Sequence, residues 1–486
     1  MSTVRRIARN TTVLLVAQVA SYLLAFFYMM YAARYLGAAG YGVLSFALAF
    51  TGIFAILGDL GLGSVTIREV ARNTSLAPKY LANVSLMKAI LVAVTFGLIA
   101  LTINLMGYPT ETIKVVYLFG LYVVFTAFTG MFSAMFQAFE RMEYQAIGQM
   151  LNAALLLGGV IFALKHSFSV VGFASLYVVA SAVVLGYSFA VMKLRFSNPT
   201  PASTARAMEF DWSFWKLAIK EALPFGLSSI FATVVYSIST VMLSSMKGDA
   251  AVGWYNAAYG MVLVLLFIPN AWGAAIFPVM SKFYVTSRGS LRFSFEKSFK
   301  YLTILGIPIG VGTTLLAQRF ILLIFGADYA NSILALQILV WSSVIVYVGI
   351  SLGYLFQALN KQIIQTRISG ICMILIVVLN LIFIPKYSYI GASINSAATQ
   401  LTSLALYFVW GSKIGYSLFN RNSATIVAKV LVSSALMGVF ITYFHNLTLL
   451  ALVPLAAVLY FAVLYITRGI DREDIDLARR AIGRQR

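Results

Sequence analysis

Fourteen stretches of this chain, the first at 11–35 and the last at 448–467, are apolar and long enough to cross a lipid bilayer. A spanning helix needs about 20 mainly apolar residues for a hydrocarbon core about 30 Å thick. Lipid offers no partner to a backbone N–H or C=O, so each such run is a helix or part of a closed barrel. Barrel strands are about ten residues long and alternate in polarity, whereas runs such as 89–101 do not alternate. The fold class this predicts is an all-α polytopic membrane protein with fourteen transmembrane helices.

Little chain is left for anything else. The longest polar interval, about 194–215, leaves no room for a separate soluble domain. The single cysteine, Cys372, lies in an apolar segment and has no intrachain partner. His166 and His445 sit in different short connections, so neither a metal nor a cofactor is expected. Gly58-Asp-Leu-Gly-Leu-Gly-Ser64 follows no strand and is not a nucleotide fingerprint. The acids expected outside the membrane, Glu111, Asp249 and Asp328, lie in three separate connections. They make no acid/base or metal constellation, and the chain is not expected to be an enzyme.

The net charge of +20 raises the question of a nucleic-acid partner, and its distribution answers against one. With the N-terminus placed inside, 28 of the 35 Lys and Arg fall in cytoplasmic segments and 6 on the opposite face. Lys88, within a span, completes the count. Such an excess marks the cytoplasmic side, so a multi-pass cell-membrane protein with both termini inside is expected. Part of this charge can also attract an anionic lipid headgroup. Arg5, Arg6 and Arg9 precede an apolar run too long for a signal-peptide core, so that run reads as the first span.

The chain also repeats itself. Phe136-Gln-Ala-Phe-Glu-Arg-Met-Glu-Tyr-Gln145 matches Phe356-Gln-Ala-Leu-Asn-Lys-Gln-Ile-Ile-Gln365 at a spacing of 220. Val171-Gly-Phe-Ala-Ser resembles Ile390-Gly-Ala-Ser-Ile at 219, and Gly37-Ala-Ala-Gly-Tyr-Gly resembles Gly248-Asp-Ala-Ala-Val-Gly-Trp-Tyr at 211. Six helices per repeat is an even number, so both halves share one orientation, the parallel kind of repeat seen in transporters. The expected organisation is an N-terminal lobe at 1–193, a linker at 194–216, a C-terminal lobe at 217–411, an additional helix pair at 412–467 and a tail at 468–486. The linker opens on Asn198-Pro-Thr-Pro, and Met208, Trp212, Trp215 and Ile219 follow at helical spacing, suiting a helix at the cytoplasmic interface.

Polar residues inside a membrane are the usual pointers to a pathway. Ser229, Thr233, Tyr236, Ser237, Thr240 and Ser244 form one stripe on the seventh span, with Gly226 above them. Small residues at this spacing also serve close helix packing, a role for which Tyr236 is too large. Gln18, Ser21 and Tyr22 make a shorter polar face on the first span, and Asn256 and Asn270 could extend the cleft. Asp59 and Lys88 each lie about seven residues, or about 10 Å, from the cytoplasmic face on consecutive spans. Equal depth predicts an ion pair, because an unpaired charge there is costly. The alternative is a snorkelling lysine and an aspartate that ends its helix. Arg34, between Tyr31 and Tyr35, reads as an interfacial anchor. Arg68, Arg72, Lys88, Arg141, Lys282 and Arg367 are cations that could gather an anion at the inner mouth, or are ordinary loop charges.

Arg9-Asn-Thr-Thr, Ala33-Arg-Tyr-Leu-Gly-Ala-Ala-Gly-Tyr-Gly and the run from Gly58 to Arg72 closely resemble the start of Wzx-type polysaccharide flippases. These belong to the multidrug/oligosaccharidyl-lipid/polysaccharide (MOP) exporter superfamily. Ile219-Lys-Glu-Ala-Leu-Pro-Phe-Gly-Leu and the Phe-Gln-Ala repeats look like the same group, and the resemblance covers essentially the whole chain. It implies a MATE-like fold of two pseudosymmetric six-helix lobes and a C-terminal pair, rocking about a central cavity. It implies a substrate built on a polyprenyl phosphate or pyrophosphate carrying an oligosaccharide. Membrane lipids and glycan-assembly proteins are the implied partners, and a monomer the expected state. The multidrug branch is the nearest rival, but it generally places a cation-binding carboxylate in an inward-facing helix. The first, seventh and eighth spans here have none within the membrane. A precursor-flippase branch would want cavity arginines in the first two spans. A membrane-embedded glycosyltransferase is the alternative of another class.

Overall fold

The computed structural model of the chain describes residues 3–196, 211–416, 421–471, 474 and 476. Most of the 194–216 linker, Met208 included, lies outside them, as does most of the tail. Among the described residues every regular element is helical. In chain order these are α1 Thr3–Ala55, α2 Leu62–Arg72, α3 Ala77–Leu105, α4 Thr110–Ala138, α5 Met142–Lys165 and α6 Val170–Phe196. After the linker come α7 Trp212–Lys247, α8 Asp249–Leu265, α9 Phe267–Thr286, α10 Arg288–Ile324, α11 Ser332–Ala358, α12 Gln362–Lys413, α13 Arg421–Tyr443 and α14 Leu449–Ile466.

Twelve helical runs among these residues are long and apolar enough to cross a membrane, so the chain is a multi-pass membrane protein. Two runs, of 42 and 52 residues, are far longer than one crossing needs. Each is divided by one non-helical residue: Gly37, with φ 66° and ψ 179°, and Ser388, with φ 53° and ψ −135°. Division at these residues is what the sequence-based count of fourteen requires.

The repeat is written into the turns. Left-handed residues recur in register: Gly37 and Gly248, Gly107 and Gly326, Glu140 and Asn360, Ser167 and Ser388, at spacings of 211, 219, 220 and 221. The hairpins after α4 and α11 match bond for bond. Arg141 N donates to Phe136 O at 2.8 Å and Glu140 N to Gln137 O at 3.0 Å; Lys361 N donates to Phe356 O at 2.7 Å and Asn360 N to Gln357 O at 3.0 Å. This is the Schellman closure of a helix end, which needs one left-handed residue just past the last turn. In each hairpin the two matching glutamines then bond across the turn, Gln137 Nε2 to Gln145 Oε1 at 3.0 Å and Gln357 Nε2 to Gln365 Oε1 at 3.1 Å.

Two compact units emerge, one of residues 1–257 with 373–392 and the other of 258–372 with 393–486. The core of the first joins Leu62, Val65 and Val70 of α2, Val84 and Met87 of α3, Met135 of α4, and Trp215 and Ala222 of α7. In the second, α10 packs against α13 and α14 through Ile304, Leu316, Met437, Leu452 and Tyr460. At the far end of α10, Arg319 donates to the carbonyls of His445 and Leu447, at 3.0 and 2.7 Å, bracing the α13–α14 connection.

Candidate functional site

The turn between α1 and α2 shows how sequence builds the charged pair. Leu60 and Gly61 are successive left-handed residues, φ 46° and 88°, and they fold the chain back over Asp59. The Asp59 carboxylate then accepts from Gly61 N at 3.2 Å and Gly63 N at 3.3 Å, capping the start of α2. An anion is favoured at a helix N-terminus because its first N–H groups lack partners. Lys88 Nζ of α3 reaches the same carboxylate at 2.6 Å and donates to Ala127 O at 3.2 Å. Its side chain is 2% exposed, against 41% for Asp59. The pair therefore has one dry member and one wet one.

α2 itself is amphipathic. Leu62, Val65, Thr66 and Val70 are buried on one face, while Arg68 and Arg72 project from the other. Arg68 pairs with Glu69 and with Glu221 of α7, and Arg72 with Glu69 at 3.1 Å. The hydrogen bond to Glu69, helped by the charge of Glu221, pushes the Arg68 guanidinium further above its usual range. Beside it Lys79 Nζ meets Asp211 at 2.7 Å, and Trp215 Nε1 donates to Asn83 Oδ1 at 3.0 Å. Lys79 and the amide of Phe214 together hold the Asp211 carboxyl below the ordinary carboxylate range.

Of the other cations singled out from sequence, Arg141 is held by Glu143 and donates to Tyr144 Oη at 2.9 Å. Lys282 and Arg367 are exposed and form no ion pair among the described residues. Gln18 Nε2 donates to Tyr22 Oη at 3.2 Å, and both side chains are exposed. Along α7, Ser229 turns its hydroxyl back to Phe225 O, Tyr236 is exposed, and Thr233 and Ser237 are half-buried. The C-terminal end of the stripe is packed. Buried Thr240 donates to Asn256 Oδ1 at 3.2 Å, and buried Ser244 accepts from Tyr108 Oη at 3.1 Å. Backbones touch there too. A Cβ on Gly42 would lie 1.9 Å from Asp249 O, and one on Gly253 would lie 1.9 Å from Ala38 O. Asn270 is exposed and belongs to the other unit.

The Trp212, Trp215 and Ile219 stripe does not form a separate helix, since Trp212 opens the continuous α7. Trp215 faces α3, whereas Trp212 and Ile219 are exposed. Sequence reasoning missed a buried cluster in the second unit. Lys300 of α10, 5% exposed, meets Asp471 at 3.0 Å and pairs with Asp474, which is 6% exposed. Lys297 Nζ and Tyr301 Oη reach the other Asp474 oxygen at 2.7 and 2.8 Å. Burial raises the Asp474 carboxyl, but the two lysines, Tyr301 and the Asp471 amide outweigh it and hold the group well below the ordinary range. The unit also holds an apolar cavity of about 280 Å³, lined by Pro308, Leu316, Phe320, Met437, Ile441 and Phe461 among others.

A family model for polysaccharide biosynthesis proteins matches residues 7–284, over half of the chain. The chain belongs to that family. A second model, MatE, matches residues 224–382. The capsular polysaccharide biosynthesis protein CapF of Staphylococcus aureus is 24% identical over 277 residues, 54% of this chain and 64% of that one. The chain thus spans slightly under two thirds of CapF. A probable low-salt glycan biosynthesis flippase of Haloferax volcanii, Agl15, is 20% identical over 403 residues, 82% of each chain. Among solved structures, the lipid II flippase MurJ in an inward closed conformation superposes with a TM-score of 0.74 at 14% identity, covering 95% of this chain and 98% of that one. The two chains share one fold.

Proposed function

We propose that this protein is a flippase moving a polyprenyl-(pyro)phosphate-linked oligosaccharide from the inner to the outer leaflet by alternating access. The observation that carries the reading is the state of the carboxylates. Asp59 at the α1–α2 turn, Glu221 of α7 and Glu296 of α10 each hold a Lys or Arg. A cation-coupled antiporter needs a carboxylate able to take Na⁺ or H⁺, and these three are engaged. The α7 stripe offers hydroxyls instead, groups that bond sugars without charge. Sugars and phosphates cannot cross hydrocarbon unaided because desolvating them is costly, so a protein need only shelter the headgroup while the prenyl chain stays in lipid. Relatives named as probable flippases support the same reading.

Two negative charges driven outward by an inside-negative potential release about 4–5 kcal/mol at 100 mV. The potential alone can then bias export. The direct test is reconstitution in vesicles carrying a fluorescent lipid-linked oligosaccharide, following its exposure to an external quencher. Flipping above that of empty vesicles, accelerated by an imposed potential, is the expected result. No acceleration over empty vesicles sinks the proposal. The MatE match favours the multidrug antiporter as second reading; efflux of an organic cation dye driven by a Na⁺ or pH gradient in the same vesicles would establish it. The catalytic alternative predicts that replacing Glu111, Asp249 and Asp328 together abolishes activity, whereas a flippase tolerates the loss.

A further inference from the structure

The inner end of α7 is tied to α2 and α3 in two places, and the ties differ. Asp211 is the N-cap of α7, accepting from Phe214 N at 2.9 Å while it holds Lys79. The Lys79 ammonium lies 5.2 Å from the Phe214 ring centroid, and the Trp215–Asn83 bond closes the same corner. Every group in this tie has a second structural partner. The other tie is simpler. Arg68 and Arg72 stand one turn apart on the polar face of α2, and Glu69 Oε1 sits between them, 2.6 Å from one and 3.1 Å from the other. Glu221 completes the set by pairing with Arg68.

Residues four apart on a helix have roots about 5–6 Å apart. Two guanidiniums at that separation are the donor set that a diphosphate bridges, each offering a planar fork that matches phosphate oxygens. Here two carboxylates fill the forks. All are within reach of water: Arg68 is 36% exposed, Glu221 37% and Arg72 69%. Ion pairs this wet are worth at most about 1 kcal/mol, so a doubly charged ligand can replace them. The Lys300–Asp474 pair, whose side chains alone are 6% and 4% exposed, has no such access.

We infer that Arg68 and Arg72 form a pyrophosphate-binding site, filled by Glu69 and Glu221 while no anion is bound, and that an incoming pyrophosphate displaces Glu221 and releases this tie of α7. The identity of the natural ligand, a lipid-linked pyrophosphate, rests on the flippase reading. On displacement the Glu221 carboxylate goes to water, and the Asp211–Lys79 tie at the first turn is left as a pivot. Binding of the headgroup thereby loosens the helix that carries the polar stripe.

The test uses the full chain in detergent with Cys372→Ala and spin labels at Ser64→Cys and Lys216→Cys, both exposed positions, titrated with inorganic pyrophosphate. The expected result is a shift in the label-to-label distance on binding, and the same shift in Glu221→Gln without ligand. Glu221→Gln should also bind pyrophosphate several-fold more tightly. Loss of a charge-assisted bond costs enough to weaken binding about tenfold, which is expected for Arg68→Gln and for Arg72→Gln. The strongly exposed Arg72 serves as the check on folding. Lys79→Gln should bind as the parent does. Unchanged binding in both arginine variants, no tightening in Glu221→Gln, or an equal loss in Lys79→Gln would each overturn the site. In nanodiscs, polyprenyl pyrophosphate should produce the shift at a mole fraction where phosphatidylglycerol does not; equal responses overturn the assignment to pyrophosphate. Because these readouts need no transport, a chain that binds pyrophosphate and flips no glycolipid would refute the flippase reading and leave this site standing.

Discussion

Replacing Asp59 by asparagine tests whether Asp59 and Lys88 act as a pair. The substituted amide oxygen can still accept from Gly61 N, so the α2 cap largely survives, but Lys88 keeps its charge with only Ala127 O for company. Removing one partner of a buried pair typically costs about 3–5 kcal/mol. The lower end, about 3 kcal/mol, applies here because Asp59 is 41% exposed and water screens the pair from that side. Lys88→Met strands a carboxylate that has solvent and two backbone N–H groups, and it should cost only about 1 kcal/mol. The double variant leaves no buried charge, so adding Lys88→Met to Asp59→Asn should restore stability, with a coupling of about 2 kcal/mol. Equilibrium unfolding in mixed SDS micelles, followed by tryptophan fluorescence, measures all four chains. If the double variant is less stable than Asp59→Asn alone, Lys88 does not depend on Asp59 and the pairing argument fails.

Three further outcomes are expected. Gly253→Ala places a methyl where Ala38 O already lies, 1.9 Å from the built Cβ; it should destabilise by about 1–3 kcal/mol, read as a lowered melting temperature in detergent. Asp474 is a depressed carboxyl, so its stabilisation is present above the unfolded value of about 3.9 and is lost as pH falls through the lower folded value. Hydrogen exchange near 297–301 should therefore stay protected from pH 8 to pH 5, and Asp474→Asn should lose that protection at neutral pH. Gln137→Leu and Gln357→Leu each remove one cross-turn bond, worth about 1 kcal/mol, and should lower the unfolding midpoint by similar amounts; a large effect at one turn only would mean that its glutamine has a second task.

The helices are legible in the sequence because a bilayer crossing demands some twenty apolar residues wherever it occurs. The pairing of Asp59 with Lys88 is legible but its setting is not, because Asp59 lies in the turn after α1 rather than about seven residues inside a span. The glutamine hairpins show through their spacing. Two more turn pairs carry a weaker signal that a search on left-handed positions would find, Gly107 with Gly326 and Lys165-His-Ser with Lys386-Tyr-Ser. The Lys300–Asp474 cluster gives no local sign. Its members lie 174 residues apart, and a tail rich in Asp and Arg reads as solvated. The first turns of α7 escape for a different reason. Helical spacing identifies a face but not what meets it, and α3 takes Trp215 while Trp212 and Ile219 stay exposed. The cations illustrate the same limit, because nothing in the order of residues says that Arg68 is taken by Glu221, 153 positions later.

The recurrence of left-handed residues at matched places gives every turn substitution a control inside the same molecule. Glycine at 107 and 326, or serine at 167 and 388, can be exchanged one copy at a time under one lipid, one detergent and one expression level. Where the two copies respond alike, the residue serves the hairpin. Where they diverge, natural selection has assigned that copy something its twin does not do, and the difference locates the working half without recourse to any other protein.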